Sequence, residues 1–201
     1  MPNGSTASVI DAAPAQSPVQ VSGLSLIPGQ TLNFSVTGAV SNTPFLPPPT
    51  ATPDGEVFIS HLPGSQNGIS DITAPINSLV GVFLDNSQPD STSAPAALNF
   101  SSIGLNFSSL APQVKQVFFI GDGLTGTGTG AVQNFIVPTG ATRLFLGPMD
   151  GFGWKGNTGS FSVTVQAVPE PSTIFGLGVL GFGAFFKHNL AKSNKSNKQD
   201  N

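Results

Sequence analysis

Apolar residues between Val21 and Ala167 occur in short segments, and their spacing excludes most helical folds. No stretch of this region repeats apolar residues every 3.6 positions over ten or more residues, as an amphipathic helix does. The segments are instead continuously apolar or alternating, with turns rich in Gly, Pro and Asn between them. They comprise residues 32–36, 57–59, 79–84, 117–120, 132–137, 143–146 and 160–165. About eight strands of this length predict an all-β fold, an antiparallel β-sandwich or jelly roll.

Two segments carry enough pattern to predict their place in a sheet. Leu79–Leu84 is continuously apolar, which is typical of a strand buried on both faces. Ser160–Val165 alternates polar and apolar residues, which predicts an edge or outer strand with its Phe and Val side chains directed inward. Prolines assign Ser41–Gly55 to a loop, and the polar stretch after residues 57–59 is expected to be a loop as far as Ala74.

The sequence divides into three parts. Residues 1–20 are small, polar and punctuated by proline, which predicts a flexible N-terminal segment. Residues 21–167 form the predicted β-sandwich domain, which at about 150 residues is long enough to bury a core. Residues 168–201 form a tail in which an apolar run precedes a polar, lysine-bearing end.

Charge is scarce and unevenly distributed. Only 8% of the 201 residues are charged, far below the usual quarter, so Ser, Thr, Asn and Gln must solvate the surface. Residues 1–167 hold three basic and eight acidic residues, a net charge of −5. This balance excludes nucleic acid as a partner, which would need a cationic patch, and suits a hard cation bound by carboxylate and amide oxygens. The absence of Cys excludes disulfides and thiolate metal sites.

Residues suited to catalysis are few, and the chain is not expected to be an enzyme. The histidines are His61 and His188, and there is no Cys, no Tyr and no G-x-S-x-G motif. A Ser-His-Asp triad would therefore depend on His61 alone. Four carboxylates could converge as in a glycosidase, although no spacing singles out a pair. They are Asp54, Glu56, Asp122 and Asp150.

The glycine-rich segment Gly121–Gly130 follows an apolar strand, as phosphate-binding loops do. It lacks the Lys-Ser/Thr pair and the helix of such loops, and the carboxylate of Asp122 would repel phosphate. A long hairpin connection, in which glycine supplies positive φ angles, is the favoured interpretation. Asp122 and the threonine hydroxyls remain candidates for contact with a cation or a sugar.

The segment Phe145–Gly159 carries the strongest candidates for a binding site. Asp150 and Asn157 flank a glycine-rich loop whose oxygens can surround one ion, and calcium requires about six to eight oxygens. Trp154, the only tryptophan, lies between them and offers a flat amphipathic ring to a sugar. The alternative interpretation makes Asp150 and Asn157 ordinary turn residues and Trp154 a cap on the core.

Residues 119–165 resemble the second half of the calcium-dependent galactophilic bacterial lectins of the PA-I type. The resemblance rests on Phe135–Pro138, on the Gly/Asp/Trp loop and on Asn157–Val163, and Pro28-Gly29-Gln30 opens a strand as in that family. It implies a galactose-binding-like β-sandwich, a bound calcium ion and a carbohydrate ligand.

The same resemblance implies four calcium ligands: the Asp150 carboxylate, the Gly153 carbonyl, the Asn157 side chain and the Asn42 carbonyl. Trp154 and Asp122 are the candidate carbohydrate-binding residues. Gly156 stands where the family has the first of two adjacent Asn ligands, and the family's sugar-contacting His and Gln have no counterpart here. Calcium is therefore a firmer expectation than galactose.

The tail opens with Val168-Pro169-Glu170-Pro171-Ser172-Thr173 and continues with the apolar run Ile174–Phe186. Lysines after this run predict a short hydrophobic helix anchored in a membrane, with its lysines on the cytoplasmic side. The alternative interpretation is a hydrophobic tail that is buried in the fold or flexible. The run has thirteen residues, fewer than the roughly 20 that span the hydrocarbon core.

This tail closely resembles the PEP-CTERM sorting signal, in which a Pro-Glu-Pro-Ser-Thr motif, a hydrophobic segment and a basic end follow one another. The resemblance implies an exported protein of a Gram-negative bacterium, cleaved by an exosortase near Pro169–Pro171. The start MPNGSTASV lacks the charged and apolar regions of a signal peptide. Either the true N-terminus lies upstream of Met1 or the chain is not exported as it stands. The first is expected, because an exosortase signal has no use on a cytosolic protein.

Together these observations predict an exported protein that is anchored in the inner membrane before processing and then lies at the cell surface or in the extracellular matrix. Its expected activity is calcium-dependent carbohydrate binding, with a glycan or exopolysaccharide, an exosortase and the membrane as partners. The alternative is a structural matrix or biofilm protein that binds neither calcium nor sugar.

Overall fold

A computed structural model describes residues 18–43 and 49–169 of the chain. These residues form β-strands with a few short helical turns, so the all-β prediction is confirmed. The strands are β1 (Val19–Gln20), β2 (Thr31–Ser41), β3 (Phe58–Ser60), β4 (Ile72–Pro75), β5 (Leu79–Leu84), β6 (Leu98–Asn99), β7 (Ser109–Leu110), β8 (Val117–Phe119), β9 (Asn134–Ile136), β10 (Arg143–Pro148) and β11 (Thr158–Ala167). One α-helical turn, α1 (Phe100–Ile103), and two 3₁₀ turns, Pro89–Ser91 and Trp154–Gly156, lie between them.

The strands form three sheets. The first sheet has the order β1-β10-β5-β8, the second β11-β2-β9-β7 and the third β3-β4-β6. The longest ladder pairs β11 with β2 in antiparallel register, from Thr158 opposite Ser41 to Ala167 opposite Leu32. Two pairs, β4 with β6 and β7 with β9, are parallel. The prediction of a wholly antiparallel arrangement missed them because each involves a two-residue strand with no readable pattern.

Phenylalanine fills the core between the first two sheets. Phe118 of β8 stacks on Phe83 of β5, with ring centroids 5.2 Å apart, and lies 5.7 Å from Phe135 of the second sheet. Phe135 in turn meets Phe34 of β2 edge-on at 5.0 Å. All four side chains are buried. Such aromatic contacts join the sheets through a core that contains no disulfide.

The two strand placements read from the sequence are confirmed. Five of the six residues of β5 are buried, and β11 lies at the edge of the second sheet. The predicted loop before Ala74 is wrong, because β4 occupies Ile72–Pro75 with Ile72 and Ala74 buried. A proline and a threonine in this short strand hide its alternation. Strand β1 lies at the end of the N-terminal segment 1–20, where Val19 pairs with Leu146.

No helix in the described ranges is long and apolar enough to cross a membrane. The predicted hydrophobic C-terminal helix and the motif residues Glu170, Pro171, Ser172 and Thr173 lie outside these ranges.

Candidate functional site

The candidate residues lie in loops at one end of the two larger sheets. Leu79 opposite Pro148 and Val80 opposite Phe119 show that the start of β5 meets the ends of β10 and β8 there. The end of β2 joins this region because the Asn77 amide donates to the Asn42 side-chain oxygen over 3.3 Å. We call this region the loop end; its described parts are residues 42–43, 49–57, 76–78, 120–133 and 149–157. It holds the four carboxylates that the sequence suggested, Asp54, Glu56, Asp122 and Asp150.

Trp154 borders a cavity of about 150 Å³ beside the loop end. Its walls are largely apolar and include Ile72, Val80 and Met149, while polar side chains form part of the rim. The rim residues are His61, Gln66, Asn67 and Asp150. The indole Nε1–H donates to the Pro148 carbonyl over 2.8 Å. This bond fixes the ring against the end of β10, so the cavity has a rigid aromatic wall.

Asp150 organises the loop that carries Trp154. One carboxylate oxygen accepts hydrogen bonds from the backbone N–H groups of Phe152, at 2.8 Å, and Gly153, at 2.9 Å. An Asp side chain that accepts hydrogen bonds from the backbone in this way stabilises its own turn. The Asp150 carbonyl lies 3.4 Å from His61 Nδ1, and Leu62 N–H donates to the Gly151 carbonyl over 2.7 Å. These contacts attach the rim segment around His61 to the tryptophan loop.

The other two predicted calcium ligands, Asn42 and Asn157, make contacts of their own. The Asn42 side chain bonds to Asn77, and Asn157 lines a separate groove of about 700 Å³ between β1, β10 and β11. Trp154 borders both the cavity and this groove. Within the described part of the chain, no hydrogen bond connects Asp150 with Asn42 or Asn157. The ligand set implied by the lectin resemblance stays a prediction.

A second carboxylate pair lies at the glycine-rich loop. Asp54, only 7% exposed, accepts a hydrogen bond from the Asp122 backbone N–H over 3.1 Å. Burial raises the pKa of Asp54, the nearby Asp122 carboxylate adds to the rise, and hydrogen bonds from backbone N–H groups oppose it. Gly121, with φ of +63°, leaves room for this contact, since a Cβ there would lie 2.6 Å from the Asp54 oxygen.

The glycine-rich loop itself is a hairpin, as predicted. Leu124 bridges Val132 in antiparallel fashion, and Thr125 N–H donates to the Ala131 carbonyl over 2.8 Å. The Asp122 carboxylate caps this turn by accepting from Leu124 N–H at 2.8 Å. Asp122 is not among the residues that line the Trp154 cavity. Of the two residues predicted to bind carbohydrate, Trp154 is the one that lines this cavity.

Residue spacing does not single out Asn77, a buried residue of the loop end. Its side chain is 2% exposed and donates to both Asn42 Oδ1 and Glu56 Oε2, the latter at 3.1 Å. Its φ of +68° lies in the left-handed region that asparagine tolerates. An asparagine after a short strand is typical of a turn, so only this tertiary contact distinguishes it. Across residues 18–43 and 49–169, no three or more His, Cys, Asp or Glu side chains gather as a metal site.

The ladder between β2 and β11 ends where the tail begins. Ala167, the last residue of β11, pairs with Leu32, and the Val168 N–H donates to the Thr31 carbonyl over 2.9 Å. The predicted sorting motif therefore starts without a spacer after the edge strand.

Comparison with known proteins identifies a sorting motif in this tail. Residues 167–187 match the family model described as the PEP-CTERM protein-sorting motif. No curated protein and no solved structure matches the chain, so the lectin resemblance gains no support from relatives. The chain thus carries a PEP-CTERM sorting motif at residues 167–187, which indicates an exported protein that is sorted by an exosortase.

Proposed function

We propose that the β-rich part of this exported protein is a glycan-binding module of the cell surface or exopolysaccharide matrix. The observation that carries this proposal is the rigid indole of Trp154 on the wall of a small, mostly apolar cavity with a polar rim. We further propose that the first two sheets form a galactose-binding-like, jelly-roll sandwich, in agreement with their shared phenylalanine core.

The chemistry of the cavity suits a sugar ring. A sugar has an apolar C–H face that packs on an aromatic ring, and hydroxyl groups at its edges that need hydrogen-bond partners. Trp154 supplies the ring, and His61, Gln66 and Asn67 supply donors and acceptors at the rim. Asp150 is the carboxylate among the lining residues, whereas most glycosidases place two carboxyl groups across the bond they cleave. The cavity therefore favours binding over hydrolysis.

Calcium is the cofactor that we propose for this module, because amide and carboxylate oxygens are abundant in the loops around the cavity. The ligands implied by the resemblance are Asp150, Gly153, Asn157 and Asn42. Among these, the Gly153 N–H donates to an Asp150 carboxylate oxygen, so two of the four residues lie in one turn. The glycan proposal therefore rests on the Trp154 cavity and not on this ligand set.

A structural matrix protein is the second candidate, and strand β11 favours it. This edge strand is ten residues long and contains neither a charged residue nor a proline. Proteins usually protect exposed edges with such residues, because a bare edge pairs with other chains. Self-association that grows with protein concentration, together with no retention by any glycan, would support this alternative.

The test of the glycan proposal is substitution of the tryptophan. The full-length chain, kept in mild detergent, is screened against a glycan array and against soluble exopolysaccharides by affinity electrophoresis. Trp154→Ala should weaken retention at least about tenfold, because burial of a large apolar side chain contributes about 1.5–3 kcal/mol.

Phe152→Ala is the matched control, since Phe152 is an exposed aromatic residue two positions away. It should retain wild-type binding. Equal binding by the wild type and Trp154→Ala, or no glycan ligand for either, would contradict the proposal.

A further inference from the structure

We propose that the Trp154 cavity binds the acetyl group of an acetylated sugar. The proposal rests on the glycan-binding function proposed above and adds the class of sugar that the cavity would select. The acetyl group enters the cavity, and the sugar ring stays at its mouth against the indole.

The size of the Trp154 cavity restricts what can enter it. Its volume is about 150 Å³, whereas pockets that enclose a whole drug-sized ligand measure about 300–1,000 Å³. An apolar cavity of about 150 Å³ is large enough for one benzene molecule, which has about half as many non-hydrogen atoms as a hexose. The cavity therefore suits a substituent of a sugar better than a whole sugar ring.

The interior of the cavity is apolar. Ile72, Val80 and Met149 line it, and each of them is buried. A sugar hydroxyl placed against these side chains would lose its hydrogen bonds to water without replacement. A methyl group in the same place is favoured, because it leaves water for an apolar surface. The interior therefore selects the methyl end of an acetyl group over a hydroxyl group.

Ser70 is the buried polar residue of this interior. It lines the cavity and is only 5% exposed. Its Oγ accepts a hydrogen bond from the Val117 N–H over 2.9 Å. A hydroxyl also has one hydrogen to donate, and this hydrogen has no acceptor within residues 18–43 and 49–169. The Ser70 hydroxyl can therefore donate to the carbonyl oxygen of an acetyl group.

A tight turn forms part of the rim. Asn67 and Gly68 have φ angles of +50° and +73°, as in the two-residue turn of a type I′ hairpin. The turn joins Gln66 to Ile69, which pair in an antiparallel bridge. A Cβ at Gly68 would collide with the Pro89 carbonyl, so the turn is packed closely against its neighbour. The amide side chains of Gln66 and Asn67 line the cavity and can bond to ring hydroxyls or to the N–H of an acetamido group.

Charge argues against acidic sugars. Neither Lys nor Arg is among the described residues that line the cavity, and Asp150 is one of them. The carboxylate of a uronic acid, or a sulfate group, would find no cationic side chain of either type there. The lining therefore favours a neutral sugar whose substituent is apolar at its end and polar at its carbonyl.

The test follows the contact of the acetyl group in solution. The full-length chain, in mild detergent and calcium-containing buffer, is titrated with N-acetylglucosamine, glucose and N-methylacetamide. Saturation-transfer NMR records which hydrogens of each probe touch the protein, and the acetyl methyl group should receive the largest transfer. Because the chain has one tryptophan and no tyrosine, its fluorescence reports on Trp154 and gives Kd. N-acetylglucosamine should bind at least about tenfold more tightly than glucose, since it adds an apolar contact and a hydrogen bond.

Ser70→Thr and Ser60→Thr form a matched pair of variants. Threonine at position 70 keeps an oxygen for the Val117 N–H and adds a methyl group to the cavity lining, so Kd for N-acetylglucosamine should rise at least about fivefold. Ser60 is exposed, bonds to Thr73 over 2.7 Å and does not line the cavity. Ser60→Thr should bind within about twofold of the wild type. The comparison of the two sugars on the wild type needs no variant, so the test stands even where Ser70→Thr is poorly folded.

An acetyl group can be carried on nitrogen or on oxygen, and a polysaccharide distinguishes the two sources. Acetylated xylan is tested before and after mild alkali, which cleaves acetyl esters and leaves acetamides intact. Retention that alkali abolishes would assign the ligand to O-acetylated sugars. Binding of N-acetylglucosamine without retention of xylan would assign it to acetamido sugars. Either result supports recognition of the acetyl group.

Two outcomes would overturn the proposal. Equal Kd values for N-acetylglucosamine and glucose, with saturation confined to ring hydrogens, would leave the glycan proposal standing and exclude the acetyl group from the cavity. No binding of either N-acetylglucosamine or N-methylacetamide would mean that water alone satisfies Ser70. Binding of N-methylacetamide with no glycan retained would instead keep the acetyl site and contradict the glycan function.

Discussion

Asp54 shows how a single residue makes the loop end sensitive to pH. Its buried carboxylate accepts the Asp122 N–H, while the Asp122 side chain adds a second negative charge nearby. Burial, followed by this neighbouring charge, raises the pKa of Asp54 above its ordinary value. In the unfolded chain an aspartate ionises at about pH 3.9. Between that pH and the higher native pKa, the native protein holds a proton that the unfolded chain has lost.

We therefore expect the contribution of Asp54 to stability to decrease as pH rises. The free energy of unfolding falls with pH wherever the native state binds more protons than the unfolded state. The loss begins near the unfolded pKa and is complete above the native one. Asp54→Asn, which can still accept from the Asp122 N–H, should remove this decline and be at least as stable as the wild type at pH 7.

Urea unfolding between pH 4 and pH 7 measures this effect. Asp90→Asn is the control, since Asp90 is exposed in the turn Pro89–Ser91 and its loss changes the net charge equally. It should leave the slope with pH unchanged. An Asp54→Asn variant that is less stable at pH 7 and keeps the wild-type slope would show that the ionised carboxylate is required.

At the same scale, part of the candidate site could be predicted from the sequence. The composition of the loop led to Asp150 and Trp154, and both line the cavity because the signal is local: an Asp followed by glycines closes its own turn. The contact between Asn42 and Asn77 spans 35 positions. Contacts of this kind depend on how the sheets bring the loops together, and residue spacing does not reveal them.

Strand β8 is the element on which the core depends most directly. Phe118 is fully buried and touches aromatic rings of both large sheets, Phe83 and Phe135. Phe118→Ala should lower the free energy of unfolding by about 3–5 kcal/mol, because it removes apolar contacts and leaves a cavity. A urea unfolding curve of the full-length chain measures the change.

Phe58→Ala in β3 is the matched control, because the same side chain is 44% exposed there. Its effect should stay within about 1 kcal/mol. Similar losses in both variants would mean that the sheets do not share the phenylalanine core described above.

Strand length decides how much of the fold could be predicted at this scale. β5 and β11 span six and ten residues, and their burial patterns follow the apolar patterns of the sequence. β6 and β7 have two residues each, too few to show alternation, and both enter parallel pairs. Their positions depend on backbone pairing with β4 and β9, which residue spacing does not reveal.

For the whole molecule, the important feature is the direct passage from edge strand to sorting motif. The matched motif begins at Ala167, which is still paired with β2. The buried core lies between Leu32 and Met149, and the partly buried residues packed against it extend to Val165. Folding and sorting are thus encoded in adjoining segments that share almost no residues.

We therefore expect the tail to be removable without loss of the fold. Deleting 170–201 should change the free energy of unfolding by no more than about 0.5 kcal/mol, as for surface changes in general, since Val168 and its bond to Thr31 remain. Deleting from Thr164 onward should be strongly destabilising, because it removes four pairs of the β11–β2 ladder, from Thr164 opposite Ser35 to Ala167 opposite Leu32.

Substitutions in the sorting motif should affect cleavage and leave the stability of the fold unchanged. Replacing Pro169, Glu170 and Pro171 with alanine should leave the unfolding curve unchanged but prevent cleavage in a host that contains an exosortase, as judged by the mass of the cell-associated protein. Cleavage of the alanine variant would show that the motif is not the processing signal in this chain. A large loss of stability on deletion of 170–201 would instead place the tail in the fold, and the two functions could then not be separated.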